Sequence, residues 1–263
     1  MPIRAVLFDL GNTLVSYYQP TEFMPILRRS LDACLLALGH ATLSREAQTE
    51  LLHQALEFNQ ERADLAVWPL EERLRVLLSQ YTPEAIDLHS AERLAQAFLQ
   101  PIFATARVNK DALPVLEGLK RMGVKTAIVS NTPWGSSGRA WRTELARHEL
   151  LAAVDTIVFC RDVGWRKPHP GPFRRALEIL GEAAKDAAFV GDDPVWDIEG
   201  ADGAGLLPIL LGGRPQQRAA RPQQHAPARL VIAPSLPDVL ARIDQLNSTA
   251  STGSQPVLAR EPV

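Results

Sequence analysis

The sequence predicts a doubly wound α/β fold, in which a parallel sheet carries helices on both faces and an all-helical segment is inserted. After residue 109, short apolar runs alternate with stretches of helical periodicity, the pattern of a parallel sheet covered by helices. An apolar run from Ile3 to Phe8 supplies one more strand, far upstream. Residues 21 to 106 show helical periodicity and no strand alternation, so we expect them to form the insert.

The first strand is short and continuously apolar, as is typical of a strand that is buried on both faces. It runs into Asp9-Leu10-Gly11-Asn12-Thr13, which we expect to form a polar loop at the carboxyl end of the strand. In open parallel sheets, ligands bind outside the carboxyl ends of the strands. This loop is therefore the first candidate for a functional site.

The insert contains several predicted helices. Apolar residues recur three and four positions apart in stretches that begin near Phe23, Leu51 and Leu74. Pro69 and Pro83 stand where a new helix would begin, because proline is favoured in the first turn of a helix.

The remaining elements follow from the alternation of apolar runs and amphipathic stretches. They are helix 112–122, strand 124–129, helix 137–150, strand 156–159, helix 172–180, strand 187–190, a helix to about 203, strand 207–210, strand 230–232 and helix 236–246. Residues 212–229 contain Arg-Pro-Gln-Gln twice and read as a low-complexity linker within this part. Residues 247–263, rich in Ser, Thr, Gly and Pro, are predicted to be a disordered tail.

The composition is that of an ordinary globular protein and disfavours several functions. Of 263 residues, 46% are hydrophobic and 22% are charged, close to the globular average. The 28 basic and 30 acidic residues form no dense basic block, which disfavours nucleic acid as a partner. No secretory signal and no bilayer-length apolar run is found, so we expect a cytoplasmic protein with no membrane partner. Cys34 and Cys160 are expected to be buried free thiols.

Polar residues follow four of the apolar runs, at the strand ends where a site is expected. They are Asp9, then Ser130-Asn131-Thr132, then Lys167-Pro168, then Gly191-Asp192-Asp193 with Asp197 one helical turn later. A carboxylate can attack phosphorus if the charge of the phosphate is neutralised. Two further acids could hold Mg²⁺, which prefers oxygen ligands, while a lysine and a hydroxyl could hold the phosphate oxygens.

Each residue has a plainer interpretation when it is taken alone. Asp9 and Ser130 could be turn or cap residues, Asp192 and Asp193 could cap the next helix, and Lys167 could be a solvated loop residue. Their occurrence together, in order and at strand ends, favours the functional interpretation.

Aromatic residues flank these motifs and have two possible roles. Tyr17, Tyr18, Trp134 and Trp165 could stack on a substrate or pack in the core. Packing is the favoured interpretation, because aromatic side chains are largely buried on average.

The set of motifs resembles the haloacid dehalogenase superfamily. The resemblance lies in Asp-x-x-Asn-Thr after the first strand, Ser after the second, Lys-Pro before a helix and Gly-Asp-Asp-x-x-x-Asp after a later strand. It spans residues 3 to 246, and the helical insert falls where that superfamily has its first type of cap. The resemblance implies a Rossmann-like core at 1–15 and 107–246, a helical cap at 16–106, and a hydrolase.

The resemblance also implies how a magnesium ion would be bound. Asp9 would be both the nucleophile and a ligand of Mg²⁺. Asp192 would be a direct ligand and the backbone carbonyl of Gly11 a further one. Asp193 and Asp197 would be ligands or supports of the ligands.

The implied substrate is a small phosphorylated metabolite, hydrolysed through an aspartyl-phosphate, which makes the chain a phosphoric monoester hydrolase. Ser130 and Lys167 would bind the phosphate and act with the nucleophile in catalysis. Asn131 would add a hydrogen bond, and Asn12 and Thr13 would lie against the substrate. The sequence makes no prediction of the oligomeric state.

One departure from the superfamily pattern matters. Most of its phosphatases carry a second aspartate two positions after the nucleophile as general acid and base, whereas this chain has Gly11. The haloacid dehalogenases also lack that acid and need no metal, and Trp196-Asp197 resembles their pattern. A metal-independent 2-haloacid dehalogenase and a catalytically weak binding protein therefore stand as alternatives, although Asp192 and Asp193 favour the metal and the phosphate.

Overall fold

A computed structural model describes residues 2–39, 43–58, 62–82, 85–212, 227 and 229–252. Six strands form a parallel sheet in the order β5-β4-β1-β6-β7-β8, and β2 and β3 form a separate two-stranded ribbon. The strands are β1 Ala5–Phe8, β2 Val15–Ser16, β3 Arg107–Val108, β4 Lys125–Ser130, β5 Thr156–Phe159, β6 Ala187–Gly191, β7 Leu207–Leu211 and β8 Val231–Ala233.

Helices cover both faces of the sheet. The helices of the described residues, including those of the segment between β2 and β3, are α1 Phe23–Ala37, α2 Arg45–Phe58, α3 Leu70–Leu78, α4 Leu88–Phe103, α5 Ala112–Arg121, α6 Gly138–Arg147, α7 Leu150–Ala153, α8 Cys160–Val163, α9 Gly171–Leu180, α10 Gly200–Gly203 and α11 Leu236–Thr252. A π-helical turn, Pro194–Glu199, precedes α10. The predicted α/β fold with a parallel sheet is confirmed.

Strand β1 is buried along its whole length because it lies between β4 and β6. Its side chains alternate between the two faces, as strand geometry requires. Val6 and Phe8 pack into the cluster that includes α5, α6 and α11, whereas Ala5 and Leu7 pack against α9 on the other face. The continuous apolar run of the first strand is thus explained by two buried faces.

The register of the central strands brings their carboxyl ends to one edge of the sheet. Phe8 lies opposite both Ile128 of β4 and Val190 of β6. The residues that follow each of these positions therefore leave the sheet side by side. This register is what gathers the predicted site residues.

In the segment predicted as the insert, the described residues form the α-helices α1 to α4. Helix α1 packs against α4, and α4 packs against α3. The segment leaves and rejoins the sheet domain at the antiparallel β2–β3 ribbon, in which Val15 pairs with Val108. That residues 16–106 form a cap domain stays a prediction, although the ribbon lies at its two predicted boundaries.

Several boundaries differ from the sequence expectation. The predicted helix 137–150 is divided into α6 and α7, and Glu149 between them has a positive φ of 63°. Helix α11 ends at Thr252, six residues beyond its predicted end, so the predicted tail begins inside this helix. Within it, the Asn247 side chain accepts from the Ile3 N–H at 2.6 Å and donates to the Ile3 carbonyl at 3.0 Å. Most of the 212–229 linker, Pro83 and residues 253–263 lie outside the described residues.

Cys34 and Cys160 are buried and free. Within the part of the chain that the structure describes, no helix combines the length and apolar character needed to span a bilayer.

Candidate active site

Asp9 is the first residue after β1 and is almost buried, with 8% of its surface exposed. Its N–H donates to the carbonyl of Val190 in β6 at 2.8 Å, so its backbone is still held by the sheet. The chain then folds back sharply, since the N–H groups of Leu14 and Val15 both donate to the carbonyl of Leu10. Asp9 therefore projects from a rigid strand end and not from a free loop.

Two predicted catalytic residues converge on one oxygen of Asp9. The Lys167 ammonium donates to Asp9 Oδ1 at 2.6 Å, and the Ser130 hydroxyl donates to the same atom at 2.9 Å. Among the described residues, no hydrogen-bond donor engages Asp9 Oδ2. The two donors thus fix the carboxylate through Oδ1 and leave its Oδ2 atom without a donor from the described residues.

Lys167 bridges Asp9 to a second carboxylate. Its Nζ lies 2.6 Å from Asp197 Oδ1, and the lysine is only 1% exposed. Burial alone would lower the pKa of Lys167, but the carboxylates of Asp197 and Asp9 outweigh this and raise the pKa above its ordinary value. The Phe189 ring also lies beneath the ammonium, with its centre 4.9 Å from Nζ. Lys167 is therefore charged, and two of its three N–H groups donate to carboxylates.

Three carboxylates are close enough to share a cation. Oxygen atoms of Asp9, Asp192 and Asp197 lie within 4.8 Å of one another. Burial raises the pKa of Asp197, and the charges of Asp9 and Asp192 add to the effect although Lys167 opposes it. One ammonium does not balance three carboxylates, so the donor set and its charge fit a divalent metal ion.

The adjacent acid has a different position. Asp193 lies outside that cluster, and its Oδ1 accepts from the N–H groups of Val195 and Trp196 at 2.9 and 2.8 Å. It is therefore the N-cap of the turn Pro194–Glu199. Its own N–H donates to Asp197 Oδ2 at 3.0 Å, which holds Asp197 in place. The sequence predicts Asp193 as a metal ligand or as a support of the ligands. The hydrogen bond to Asp197 is consistent with a support, and direct contact with a metal stays a prediction.

Three further residues that were predicted to contact the substrate have different surroundings. Asn131 uses its amide on the Lys167 backbone, donating to the carbonyl at 3.1 Å and accepting from the N–H at 2.8 Å. Thr13 is buried, and its hydroxyl has no partner among the described residues. Asn12 has a positive φ of 57° in the tight loop. Contact of these three residues with a substrate stays a prediction.

The flanking aromatic residues mostly pack. Tyr17 meets the edge of Trp141 at 5.1 Å between ring centres, and Trp134 packs against Phe98 at 5.0 Å. Trp165 is 38% exposed and stacks on His169. Packing, the favoured interpretation, therefore describes Tyr17 and Trp134.

Gly191 belongs to one of the predicted motifs, but the sequence analysis assigned it no role of its own. A Cβ at this residue would lie 2.3 Å from Asp197 Oδ2 and 2.6 Å from Asp197 Cβ. Only glycine lets Asp197 lie against the end of β6 and reach Lys167. The available signal was a glycine as the last residue of an apolar strand, directly before the acidic pair.

The fold and the site together define an α/β protein whose buried aspartate, paired with lysine, lies beside a carboxylate cluster at the strand ends. Residues 3–205 match the model of the haloacid dehalogenase-like hydrolase family, and the chain belongs to this family. The recognition made from the motifs is confirmed.

Similar proteins include some named as phosphatases and one named as a 2-haloacid dehalogenase. A glyceraldehyde 3-phosphate phosphatase of Methanopyrus kandleri is 27% identical over 80% of this chain and 84% of its own length. A phosphatase structure from Thermococcus onnurineus has a TM-score of 0.62 at 23% identity, covering 92% of this chain and 98% of that one. A 2-haloacid dehalogenase structure from Pseudomonas syringae has a TM-score of 0.60 at 23% identity, covering 91% and 99%. The two structures show a shared fold.

The close approach at Gly191 predicts a cost for any side chain there. Gly191→Ala should lower the free energy of unfolding by about 1–3 kcal/mol, because Asp197 must move to admit the methyl group. Gly203→Ala is the matched control, since a Cβ there meets nothing within 4 Å, and it should be neutral or stabilising by up to about 1 kcal/mol. Urea denaturation measures both. Equal stabilities of the two variants would contradict the steric argument.

Proposed function

We propose that this hydrolase is a magnesium-dependent phosphatase of a small phosphorylated metabolite, with Asp9 as its nucleophile. The observation that carries the proposal is the convergence of Lys167 and Ser130 on Asp9 Oδ1, beside the cluster of Asp9, Asp192 and Asp197. A lysine and a hydroxyl at this point can also bind phosphate oxygens. Relatives named as phosphatases, including a phosphoglycolate phosphatase of Rhodospirillum rubrum, support the substrate class.

The reaction follows from the free oxygen of the nucleophile. Asp9 Oδ2 attacks phosphorus, the bond from phosphorus to the ester oxygen breaks, and the electron pair leaves with that oxygen, which takes a proton from water. Water then attacks the phosphorus of the aspartyl-phosphate, loses a proton to solvent, and the Asp9 carboxylate departs. Lys167 and Ser130 hold the negative charge of the transferring group throughout.

The three clustered carboxylates are the residues that we assign to Mg²⁺. Asp9, Asp192 and Asp197 supply oxygen atoms, the type of ligand that Mg²⁺ prefers, and the Gly11 carbonyl is proposed as a fourth. When bound, the ion would neutralise part of the phosphate charge. Asp193 supports the site through its backbone N–H to Asp197.

Because residue 11 is glycine, this position offers no side chain to act as general acid for the leaving oxygen. A Cβ atom at Gly11 would lie 3.9 Å from Asp9 Oδ2 and would meet no other atom of the described residues outside its chain neighbours within 4 Å, so the position faces the attacking oxygen and has room. Water must then supply the proton to the leaving oxygen. The enzyme should accordingly prefer phosphate esters whose departing alcohol or phenol has a low pKa, because such a group can leave without being protonated.

An aryl phosphate is the first substrate to test, because its leaving group needs no general acid. We expect magnesium-dependent release of phosphate that a chelator stops, and Asp9→Asn should lower the rate by about a thousandfold or more. The assay should include a 2-haloacid with halide detection. Halide release that resists the chelator, without phosphate release, would overturn the proposal in favour of a dehalogenase.

Two adjacent acids give a matched test of the metal site. Asp192→Ala should weaken Mg²⁺ binding at least about tenfold, because it removes a ligand oxygen. Asp193→Ala should instead lower the free energy of unfolding by about 0.5–2 kcal/mol through loss of the helix cap, with a smaller effect on the metal. Calorimetric titration and urea denaturation measure the two effects. The reverse ranking would exclude this assignment of ligands.

Introducing an acid at position 11 tests whether the lack of a general acid limits the rate. Gly11→Asp should raise kcat on alkyl phosphates by up to about a hundredfold or more, since general acid help has that size, and should change the aryl phosphate rate little. Gly11→Ala controls for the loss of glycine itself. No gain on alkyl phosphates would mean that another group already supplies the proton.

A further inference from the structure

The side chain of Asn131 forms hydrogen bonds with both backbone polar groups of Lys167. Its amide oxygen accepts from the Lys167 N–H at 2.8 Å, and its amide nitrogen donates to the Lys167 carbonyl at 3.1 Å. Lys167 lies in a turn between α8 and α9. Among the described residues, Asn131 is the partner of both its backbone groups. The adjacent Arg166 also holds the turn, because its N–H donates to the Leu65 carbonyl at 2.9 Å and its Nη1 donates to the Thr132 carbonyl at 3.1 Å.

The position of the Lys167 ammonium depends on that backbone. A lysine side chain has four flexible carbon–carbon bonds, and holding it in one conformation is costly in entropy. Its Nζ nevertheless lies 2.6 Å from both Asp9 and Asp197 in a buried setting. Such a geometry requires a fixed starting point at the Cα atom, and the Asn131 amide is the group that bonds directly to the Lys167 backbone.

Asn131 also sets the spacing of the two donors on Asp9. It directly follows Ser130, whose hydroxyl donates to the same Oδ1 atom as Lys167. The amide therefore ties the end of β4 to the lysine turn. Any shift between the two segments would separate the two donors.

We propose that Asn131 is a positioning residue that orients Lys167, instead of the direct phosphate contact expected from the sequence. Its amide oxygen and one amide hydrogen are engaged on the protein backbone. This inference rests on the proposed function, because it assigns Asn131 its effect on the reaction through Lys167.

The test is a double-mutant cycle with Asn131→Ala and Lys167→Met, assayed on an aryl phosphate with magnesium. Asn131→Ala alone should lower kcat about 10–100-fold, as loss of a supporting partner typically does. In the Lys167→Met background the same change should alter kcat less than about twofold, because the group it positions is gone. An undiminished effect in that background would show direct contact with the phosphate and overturn the proposal.

Asn247→Ala is the matched control. Asn247 makes the same pair of amide bonds, with the Ile3 backbone at the other end of β1. Its loss should leave kcat within about twofold of the wild type. Asn131→Asp keeps the acceptor and loses the donor, so it should fall between wild type and Asn131→Ala.

A second measurement needs no turnover. Acylation of Lys167, read by mass spectrometry, should rise in Asn131→Ala and stay at the wild-type level in Asn247→Ala. Unchanged labelling in Asn131→Ala would overturn the positioning role whatever the activity. Raised labelling in a protein that hydrolyses no phosphate would count against the proposed function alone.

Discussion

The buried ammonium of Lys167 is the interaction on which the site depends. It joins Asp9 at the end of β1 to Asp197 beyond β6, with 2.6 Å to each. An unpaired charge in this setting would cost several kcal/mol, so neither carboxylate can leave without the lysine also being disturbed. Asp9, Lys167 and Asp197 therefore form one electrostatic unit.

The parallel sheet assembles this unit from distant parts of the chain. Adjacent registers of β1, β4 and β6 place Asp9, Ser130 and Gly191 at neighbouring strand ends. The glycine then admits Asp197, and the amide of Asn131 brings in the turn that carries Lys167. Strand register, a glycine and an amide side chain thus position different residues, and all three act at the same edge of the sheet.

Periodicity and strand-end logic were sufficient to predict the parallel sheet and the convergence of Asp9, Ser130, Lys167 and Asp197. They could not decide whether the Asp193 side chain reaches the carboxylate cluster, because its direction at the strand end depends on the actual φ and ψ angles. The break between α6 and α7 falls at Glu149 with a positive φ, for which glutamate gives no signal. The Asn131 contact spans 36 positions, beyond any local pattern.

The contact between Asn247 and Ile3 has a practical geometric meaning. It lies at the amino end of β1, whereas Asp9 lies at the carboxyl end, about 20 Å away at the rise of a strand. Helix α11 and the start of the sheet thus meet at the end of β1 opposite Asp9. A surface anchor or fused domain attached near residue 3 or residue 247 would therefore lie at the end of β1 that is far from Asp9, and it would not cover the strand ends that carry the candidate site.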